Sequence, residues 1–268
     1  MDVLSASQGN RIPVAWYRND GKGGFSDPIE MNAQARNAQS VHAADLDNDG
    51  DMDVLSASCG DDTVAWYRND GQGNFSDPLV ITTATDCARS VYAADLDNDG
   101  YIDVLSTSVT DDKIAWYRNH GNVTFSSQKI ISTSADYPES VYAADLDGDG
   151  DMDVLSASQR DDTIAWYRNH GNGTFSSQIV ITRSADYALL VRAADMDNDG
   201  DMDVLSVSYD DEKIAWYPND GDGNFPSQIV LGTAHGYSID VADLDKDGYL
   251  DVIGGHFSDI GWYRAVTA

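Results

Sequence analysis

The sequence predicts an all-β chain built of β-propeller blades, each a four-stranded antiparallel sheet. Three observations predict it: a repeat of fifty residues, four short β-forming runs in each repeat, and clusters of Gly, Asn and Asp between the runs. The repeat is marked by a Trp-Tyr pair whose tryptophans are Trp16, Trp66, Trp116, Trp166, Trp216 and Trp262, spaced by 50 four times and then by 46. Six repeat units are therefore visible, and four antiparallel strands per unit is the pattern of a propeller blade.

In the fourth unit, strand A is expected over 140–144, strand B over 152–158, strand C over 163–168 and strand D over 174–182. Strand C alternates Ile164 and Trp166 with Ala165 and Tyr167, so it carries bulk on both sides. A blade needs this because it packs against a neighbour on each face. The Trp-Tyr stripe is thus expected in the core between blades, with a stacking platform for a sugar as the competing reading. After strand C come Asn69-Asp70-Gly71 and Asn219-Asp220-Gly221, residues that accept the positive φ of tight hairpins.

The ends differ from the interior. Met1-Asp2-Val3-Leu4-Ser5 repeats Met52-Asp53-Val54-Leu55-Ser56, so the chain is expected to begin inside a blade. The first unit then lacks strand A, and the last, ending at Ala268, lacks strand D, leaving 22 strands. The expectation is one propeller domain over residues 1–268, a segment of a longer chain or one completed by another copy. Its open blade edges would be available for self-association.

Composition narrows the partners. Lys and Arg number 16 against 46 Asp and Glu, a formal charge of −30, which repels nucleic acid and anionic membrane surfaces. No apolar run is long enough to cross a bilayer, so direct membrane insertion is not expected. The two cysteines, Cys59 and Cys87, form no CxxC pair and have no nearby histidines, which argues against zinc and leaves a disulfide or two free thiols.

Between strands A and B lies the strongest chemical signal, Asp-x-Asp-x-Asp-Gly-x-x-Asp, complete five times. The carboxylates at loop positions 1, 3, 5 and 9 are Asp45, Asp47, Asp49 and Asp53; Asp95, Asp97, Asp99 and Asp103; Asp145, Asp147, Asp149 and Asp153; Asp195, Asp197, Asp199 and Asp203; and Asp243, Asp245, Asp247 and Asp251. Asp2 is the ninth position of a sixth, truncated loop. Four carboxylates within nine residues repel one another without a cation, and hard oxygen donors on a flexible turn suit Ca²⁺ better than zinc, copper or the strictly octahedral Mg²⁺. About five Ca²⁺ sites are expected. Glycine at position 6, such as Gly50, permits the sharp turn, and position 7, Asp51 or Tyr101, is expected to offer its backbone carbonyl. An EF-hand begins with the same spacing but needs Glu at position 12, which here is Ser56, Ser106, Ser156, Ser206 or Gly254.

On these repeats and loops the chain resembles the FG-GAP/VCBS repeat family of integrin-alpha-type calcium-binding propellers, over essentially its whole length. The resemblance implies a ring, commonly of seven blades, with calcium loops on one face and ligand recognition often on the other. Six visible units depart from that number.

Strand parity puts A–B loops and C–D turns on one face and B–C loops and D–A connections on the other. The calcium face is nearly the same in every unit, whereas the other differs. B–C loops read Gln8-Gly9-Asn10-Arg11, Cys59-Gly60-Asp61-Asp62, Val109-Thr110-Asp111-Asp112, Gln159-Arg160-Asp161-Asp162 and Tyr209-Asp210-Asp211-Glu212. Tyr137, Tyr187 and Tyr237, at matching D–A positions, are candidates for shallow aromatic ligand sites between blades, or else cap the blade core. The same parity places Cys59 and Cys87 on one face of one blade, where a disulfide is expected, which suits an extracellular setting. Asn74, Asn122 and Asn172 open N-glycosylation tripeptides in C–D turns.

His42, His120, His170, His235 and His256 are scattered, and no nucleophile elbow or phosphate loop is present, so no enzyme is expected. The function expected is a secreted, calcium-stabilised binding or scaffolding propeller that makes protein or glycan contacts through its B–C/D–A face within a larger surface or filament assembly. A lectin-like carbohydrate-binding propeller is the alternative, and a propeller-fold hydrolase or lyase the remote one.

Overall fold

The computed structural model describes residues 2–8, 12–32, 34–233, 236–256 and 260–264. The chain divides into two compact units, Met1–Thr133 and Ser134–Ala268. In the first lie β1 (Val3–Ala6), β2 (Val14–Tyr17) and β3 (Ile29–Asn32), then β4 (Ala38–Ala44), β5 (Asp53–Ser58), β6 (Thr63–Tyr67) and β7 (Leu79–Thr82), then β8 (Ala88–Ala94), β9 (Asp103–Ser108), β10 (Lys113–Tyr117) and β11 (Lys129–Ser132). In the second lie β12 (Pro138–Ala144), β13 (Asp153–Ser158), β14 (Thr163–Tyr167) and β15 (Ile179–Thr182), then β16 (Ala188–Ala194), β17 (Asp203–Ser208), β18 (Lys213–Tyr217) and β19 (Ile229–Thr233), then β20 (Gly236–Ala242), β21 (Asp251–His256) and β22 (Ile260–Tyr263). Among the described residues these 22 strands form six antiparallel sheets of the β-propeller class.

Four sheets have four strands in sequence order, and the first and last have three, β1-β2-β3 and β20-β21-β22. The missing partners are strand A of the first unit and strand D of the last, as the repeat alignment requires. One row runs straight across a blade, Tyr142 facing Leu155, Leu155 facing Trp166 and Trp166 facing Ile179, while the register shifts between Pro138 and Ser140 and between Ile164 and Ala165. Strand D is shorter than the sequence pattern suggests, beginning at Ile179 and not at Thr174. The intervening residues close a turn instead, with an Asn169–Phe175 bridge and Ser176 Oγ accepting the Arg168 N–H at 3.0 Å.

Alternation along strand C builds the core. Trp66 packs with Leu46 and Leu55 of its own blade and with Val104, Ala115 and Tyr117 of the next; Trp166 meets Val204, Ala215 and Tyr217 in the same way. One blade's tryptophan side therefore packs on the next blade's tyrosine side, which confirms the stripe as inter-blade core. A buried aromatic removes roughly 150–250 Å² from water, about 4–6 kcal/mol before entropy is charged against it. Trp262, on the last strand, is 56% exposed. The buried tyrosines also need a polar partner: Ser56, Ser106 and Ser206 on strand B sit 3.1, 3.1 and 3.2 Å from the hydroxyls of Tyr67, Tyr117 and Tyr217.

Candidate functional site

The A–B loop is a turn in which glycine and its neighbours adopt left-handed backbone. At position 6, Gly50, Gly100, Gly150, Gly200 and Gly248 have φ between 86 and 100°, so the glycine is a steric requirement. Position 4 is left-handed too, at Asn48, Asn98, Gly148, Asn198 and Lys246. The position-1 carboxylate accepts the N–H of position 6, as Asp45 Oδ2 does from Gly50 at 2.9 Å, which winds the loop around the carboxylates.

The loops gather three carboxylates each. Oxygens of Asp45, Asp47 and Asp53 lie within 4.8 Å of one another, as do those of Asp145, Asp147 and Asp153 and of Asp243, Asp245 and Asp251. In the other two loops the trio is Asp95, Asp97, Asp99 and Asp195, Asp197, Asp199. Positions 1 and 3 thus join in every loop, with position 9 or position 5 as the third member. Oxygens are left over: Asp47 Oδ1, Asp97 Oδ1, Asp147 Oδ1, Asp195 Oδ1 and Asp251 Oδ1 are buried with no hydrogen-bond partner among the described residues. An all-oxygen trio with an orphaned buried carboxylate oxygen fits a hard cation.

The ninth aspartate has a further task. Asp53, Asp103, Asp153 and Asp203 are fully buried at the head of strand B. One oxygen accepts the N–H of position 2, at 3.0 Å from Leu146 to Asp153, and the other accepts the N–H of the strand-C asparagine, at 2.7 Å from Asn169. Asp2 keeps the second contact with Asn19, at 2.8 Å. Burial outweighs these bonds and pushes the carboxyl up to about 6 at Asp53 and Asp203 and about 7 at Asp103 and Asp153. Burial also raises Asp47, Asp97, Asp147 and Asp197.

The asparagine after strand C ties blade to blade. Asn119 Nδ2 donates to Leu46 O of the preceding blade's loop at 2.7 Å, and Asn219 Nδ2 to Leu146 O at 2.7 Å. The C–D turn is therefore wider than a two-residue hairpin. Positive φ falls on Gly71 and Gly73, while Asn69 stays in ordinary backbone and its side chain accepts the Gly71 N–H at 3.1 Å. The position-7 side chain lies against the C–D turn: a Cβ on Gly121 would lie 2.3 Å from the Tyr101 ring.

Sequence reasoning missed the arginine after the Trp-Tyr pair. Arg118 Nε meets Asp97 Oδ2 at 2.7 Å and its Nη2 meets Asp99 Oδ2 at 3.0 Å, a fork across positions 3 and 5. Arg68, Arg168 and Arg264 hold the same two positions of their loops. The signal was the repeated Trp-Tyr-Arg, broken once at Trp216-Tyr217-Pro218.

At the opposite end of the second to fifth blades the B–C loop and the D–A junction meet, as parity requires. Gln159 N–H donates to Tyr137 O at 3.0 Å and Tyr209 N–H to Tyr187 O at 3.1 Å. Cys59 and Cys87 are joined in a disulfide. It links two blades, correcting the expectation of one: Cys59 follows β5, whereas Cys87 immediately precedes β8 of the next sheet. Tyr137 and Tyr187 occupy equivalent left-handed positions, φ 61 and 60°. Tyr237 does not match them. Gly236 pairs with His256 as Ala188 pairs with Ser208, so Tyr237 lies inside β20; the sixth unit's loop follows 48 residues after the fifth's, and its equivalent of Tyr187 is His235, outside the described residues. Gly9, Asn10 and Arg11 of the first B–C loop also lie outside them. Asn74, Asn122 and Asn172 are exposed in C–D turns at the aspartate end.

The pattern of the FG-GAP-like repeat matches residues 1–56, 48–106, 96–156, 145–206 and 195–254. No curated protein matches the chain. Among solved structures, one described for specific recognition of non-reducing terminal N-acetylglucosamine by an Agrocybe aegerita lectin is similar at 20% identity and TM-score 0.66, over 99% of this chain and 80% of that one. A chain of a nidogen/laminin complex is similar at 11% identity and TM-score 0.62, over 97% and 92%. A chain of the Photorhabdus luminescens Tc holotoxin pore is similar at 17% identity and TM-score 0.50, over 98% of this chain but 13% of that one. At these identities the likeness is one of fold.

Proposed function

The chain belongs to the FG-GAP-like repeat family, and on that footing we propose that it is a non-enzymatic, calcium-stabilised binding or scaffolding module that works outside the cell. The observation that carries this reading is the division of the second to fifth blades into an end whose aspartates repeat and an end whose side chains differ. Ca²⁺ would be held by positions 1, 3, 5 and 9 of the five complete loops, where it would supply positive charge to otherwise repelling carboxylates. Five such ions would move the formal charge of −30 to about −20, still acidic. The arginine forks across positions 3 and 5 would aim the remaining oxygens inward. The Cys59–Cys87 disulfide supports an oxidising compartment, and exposed Asn74, Asn122 and Asn172 are the proposed glycan acceptors.

Protein or glycan partners are proposed for the B–C/D–A end, with self-association through open blade edges as the scaffolding version. The lectin-like version is favoured by one observation, the exposed tyrosines at that end, 37% exposed at Tyr187 and 43% at Tyr237. Glycan-array binding and sedimentation of the full chain, each in calcium and in chelator, test the reading. Calcium-dependent capture of a glycan or calcium-dependent assembly is expected. Catalytic turnover of a polysaccharide would overturn the non-enzymatic part, and calcium-independent behaviour throughout would overturn the metal part.

A further inference from the structure

Neighbouring aspartate loops are tied together by uncharged side chains, and the ties differ from pair to pair. Within Met1–Thr133 the 45–53 and 95–103 loops share two. The first runs through Asn119, which is buried. Its Nδ2 donates to Leu46 O of the 45–53 loop at 2.7 Å and to Ile102 O of the 95–103 loop at 3.0 Å, while its backbone N–H donates to Asp103 Oδ1 at 2.7 Å. The Leu46 N–H in turn donates to Asp53 Oδ2 at 3.1 Å. A line of hydrogen bonds therefore leads from the ninth aspartate of one loop to the ninth aspartate of the next. The second tie is at the surface, where Asn48 Nδ2, at position 4, donates to Gly100 O, at position 6 of the next loop, at 3.0 Å.

Within Ser134–Ala268 the same two ties are divided between pairs. Asn219, also buried, repeats the first: its Nδ2 donates to Leu146 O at 2.7 Å and to Met202 O at 2.9 Å, and its N–H to Asp203 Oδ1 at 2.8 Å. The second cannot form between the 145–153 and 195–203 loops, because position 4 is Gly148 and has no side chain to donate. It returns between the 195–203 and 243–251 loops, where Asn198 Nδ2 meets Gly248 O at 2.8 Å. Asn48 and Gly148 both hold left-handed backbone, φ 57 and 70°, a region open to asparagine and glycine alike. A Cβ on Gly148 would meet Gly221 O at 3.6 Å, an ordinary contact, so either residue fits at either place.

Each loop brings like charges together. Its carboxylate trio lies within 4.8 Å, and Asp47 and Asp147, with side chains 6% and 3% exposed, each bury an Oδ1 that has no hydrogen-bond partner among the described residues. Winding a loop around its carboxylates therefore costs free energy that a bound cation offsets. The wound 45–53 loop also holds Leu46 O and Asn48 Nδ2 where Asn119 and Gly100 O reach them, so winding one loop favours winding its neighbour. We propose that the 45–53 and 95–103 loops bind calcium as a coupled pair, with Asn48 and Asn119 as the coupling residues. The 145–153 and 195–203 loops, joined through Asn219 alone, are coupled less. The inference rests on the calcium reading and adds that the sites are not independent.

The test is a buffered calcium titration of the full chain followed by NMR of its glycine amides, in which Gly50, Gly100, Gly150 and Gly200, at position 6, each report their own loop. Asp47→Asn with Asp49→Asn empties the 45–53 loop and leaves Asp53 with its two backbone donors. Calcium at Gly100 should weaken by about fivefold. Adding Asn48→Gly removes the tie and no charge, and should bring that factor down to about twofold. The direct effect of the lost carboxylates is the same with and without Asn48, so it drops out of the comparison. Asp147→Asn with Asp149→Asn should weaken calcium at Gly200 by only about twofold, and Gly148→Asn should raise that factor to about fivefold. A Gly100 midpoint that ignores the 45–53 loop, or moves equally with and without Asn48, would overturn the inference, as would a Gly148→Asn chain in which Gly200 responds no more than before. Loops that each take up calcium but do so independently would overturn it while leaving the calcium reading standing. No response from any of these amides at millimolar calcium would remove both.

Discussion

The two ends of the second to fifth blades are built on equally recurrent backbone bonds but use their side chains differently. At the aspartate end the same bonds recur: the ninth carboxylate takes the position-2 N–H at 3.0–3.1 Å in the Asp53, Asp103, Asp153, Asp203 and Asp251 loops. At the opposite end the B–C N–H to D–A carbonyl bond is as constant, 3.0–3.2 Å at Cys59, Val109, Gln159 and Tyr209. Yet at those positions the chain carries a disulfide, an arginine stacked on a tyrosine, and a tyrosine cluster. One end uses the same side chains in every loop to hold itself together; the other shares a backbone bond and, at Asp62 and Asp162, a carboxylate that accepts the D–A N–H, while its remaining side chains differ. Stability should concentrate at the first and recognition at the second.

Metal removal should give the largest effect. Each site at a hundredfold excess over Kd contributes about 2.7 kcal/mol, so chelation of several loops should lower Tm by on the order of 10 °C or more in a calorimetric scan. An unchanged Tm would remove calcium from the aspartate end. The pH dependence should change with it. In chelator the buried ninth carboxylates titrate near 6 to 7, above the ordinary value of 3.8, so the folded state binds more protons in that window and stability falls as pH rises through it. With calcium bound as proposed, the ionised form would be the ligand, and the slope should reverse.

Next comes Asp153→Ala. It removes the acceptor of two backbone donors, Leu146 and Asn169, at a fully buried position. At about 1–3 kcal/mol for each orphaned group, a loss of about 4 kcal/mol is expected in urea unfolding, in chelator as well as in calcium. A cost confined to calcium would make Asp153 a ligand and nothing more.

The repeat, the strand number, the Trp-Tyr core and the aspartate loops were legible in the sequence because each is a local pattern written several times. What was not legible depends on where one blade meets the next. The Asn119 bond to Leu46 O spans 73 residues, and the Cys59–Cys87 bridge leaves one sheet for another. Neither follows from the alternation of a single strand. Tyr237 was misaligned because the sixth unit is two residues shorter before its loop. Arg118 was visible as a residue but unremarkable until its fork reached Asp97 and Asp99.

The disulfide is the one place where the varied end should rival the other. Its sequence separation of 28 corresponds to about 3.6 kcal/mol of chain-entropy stabilisation. Cys59→Ser with Cys87→Ser should therefore cost about that much, while Tyr187→Ala, 37% exposed, should leave unfolding within about 0.5 kcal/mol of the parent. A large cost for Tyr187→Ala would break the division between the ends.

The smallest effect concerns the arginine forks, and the chain contains its own control. Arg168 spans Asp147 and Asp149 at 2.6 and 3.3 Å, but its side chain is 46% exposed, so Arg168→Ala should cost under about 1 kcal/mol of stability. Its influence should show in ion binding. Asp147, 3% exposed, is held with one oxygen on the guanidinium and the other without a hydrogen-bond partner, so the arginine decides which way the carboxylate points. The 195–203 loop has Pro218 where the others have arginine, and no arginine pairs with Asp197 among the described residues. Calcium titration by calorimetry should accordingly resolve the 195–203 loop from the four that carry arginine. Arg168→Ala should move one further site into that loop's class, and Pro218→Arg should move the 195–203 loop out of it. A single uniform class in all three proteins would mean that the fork is a surface ion pair with no bearing on the ion, and that the aspartate end is even more uniform than its side chains suggest.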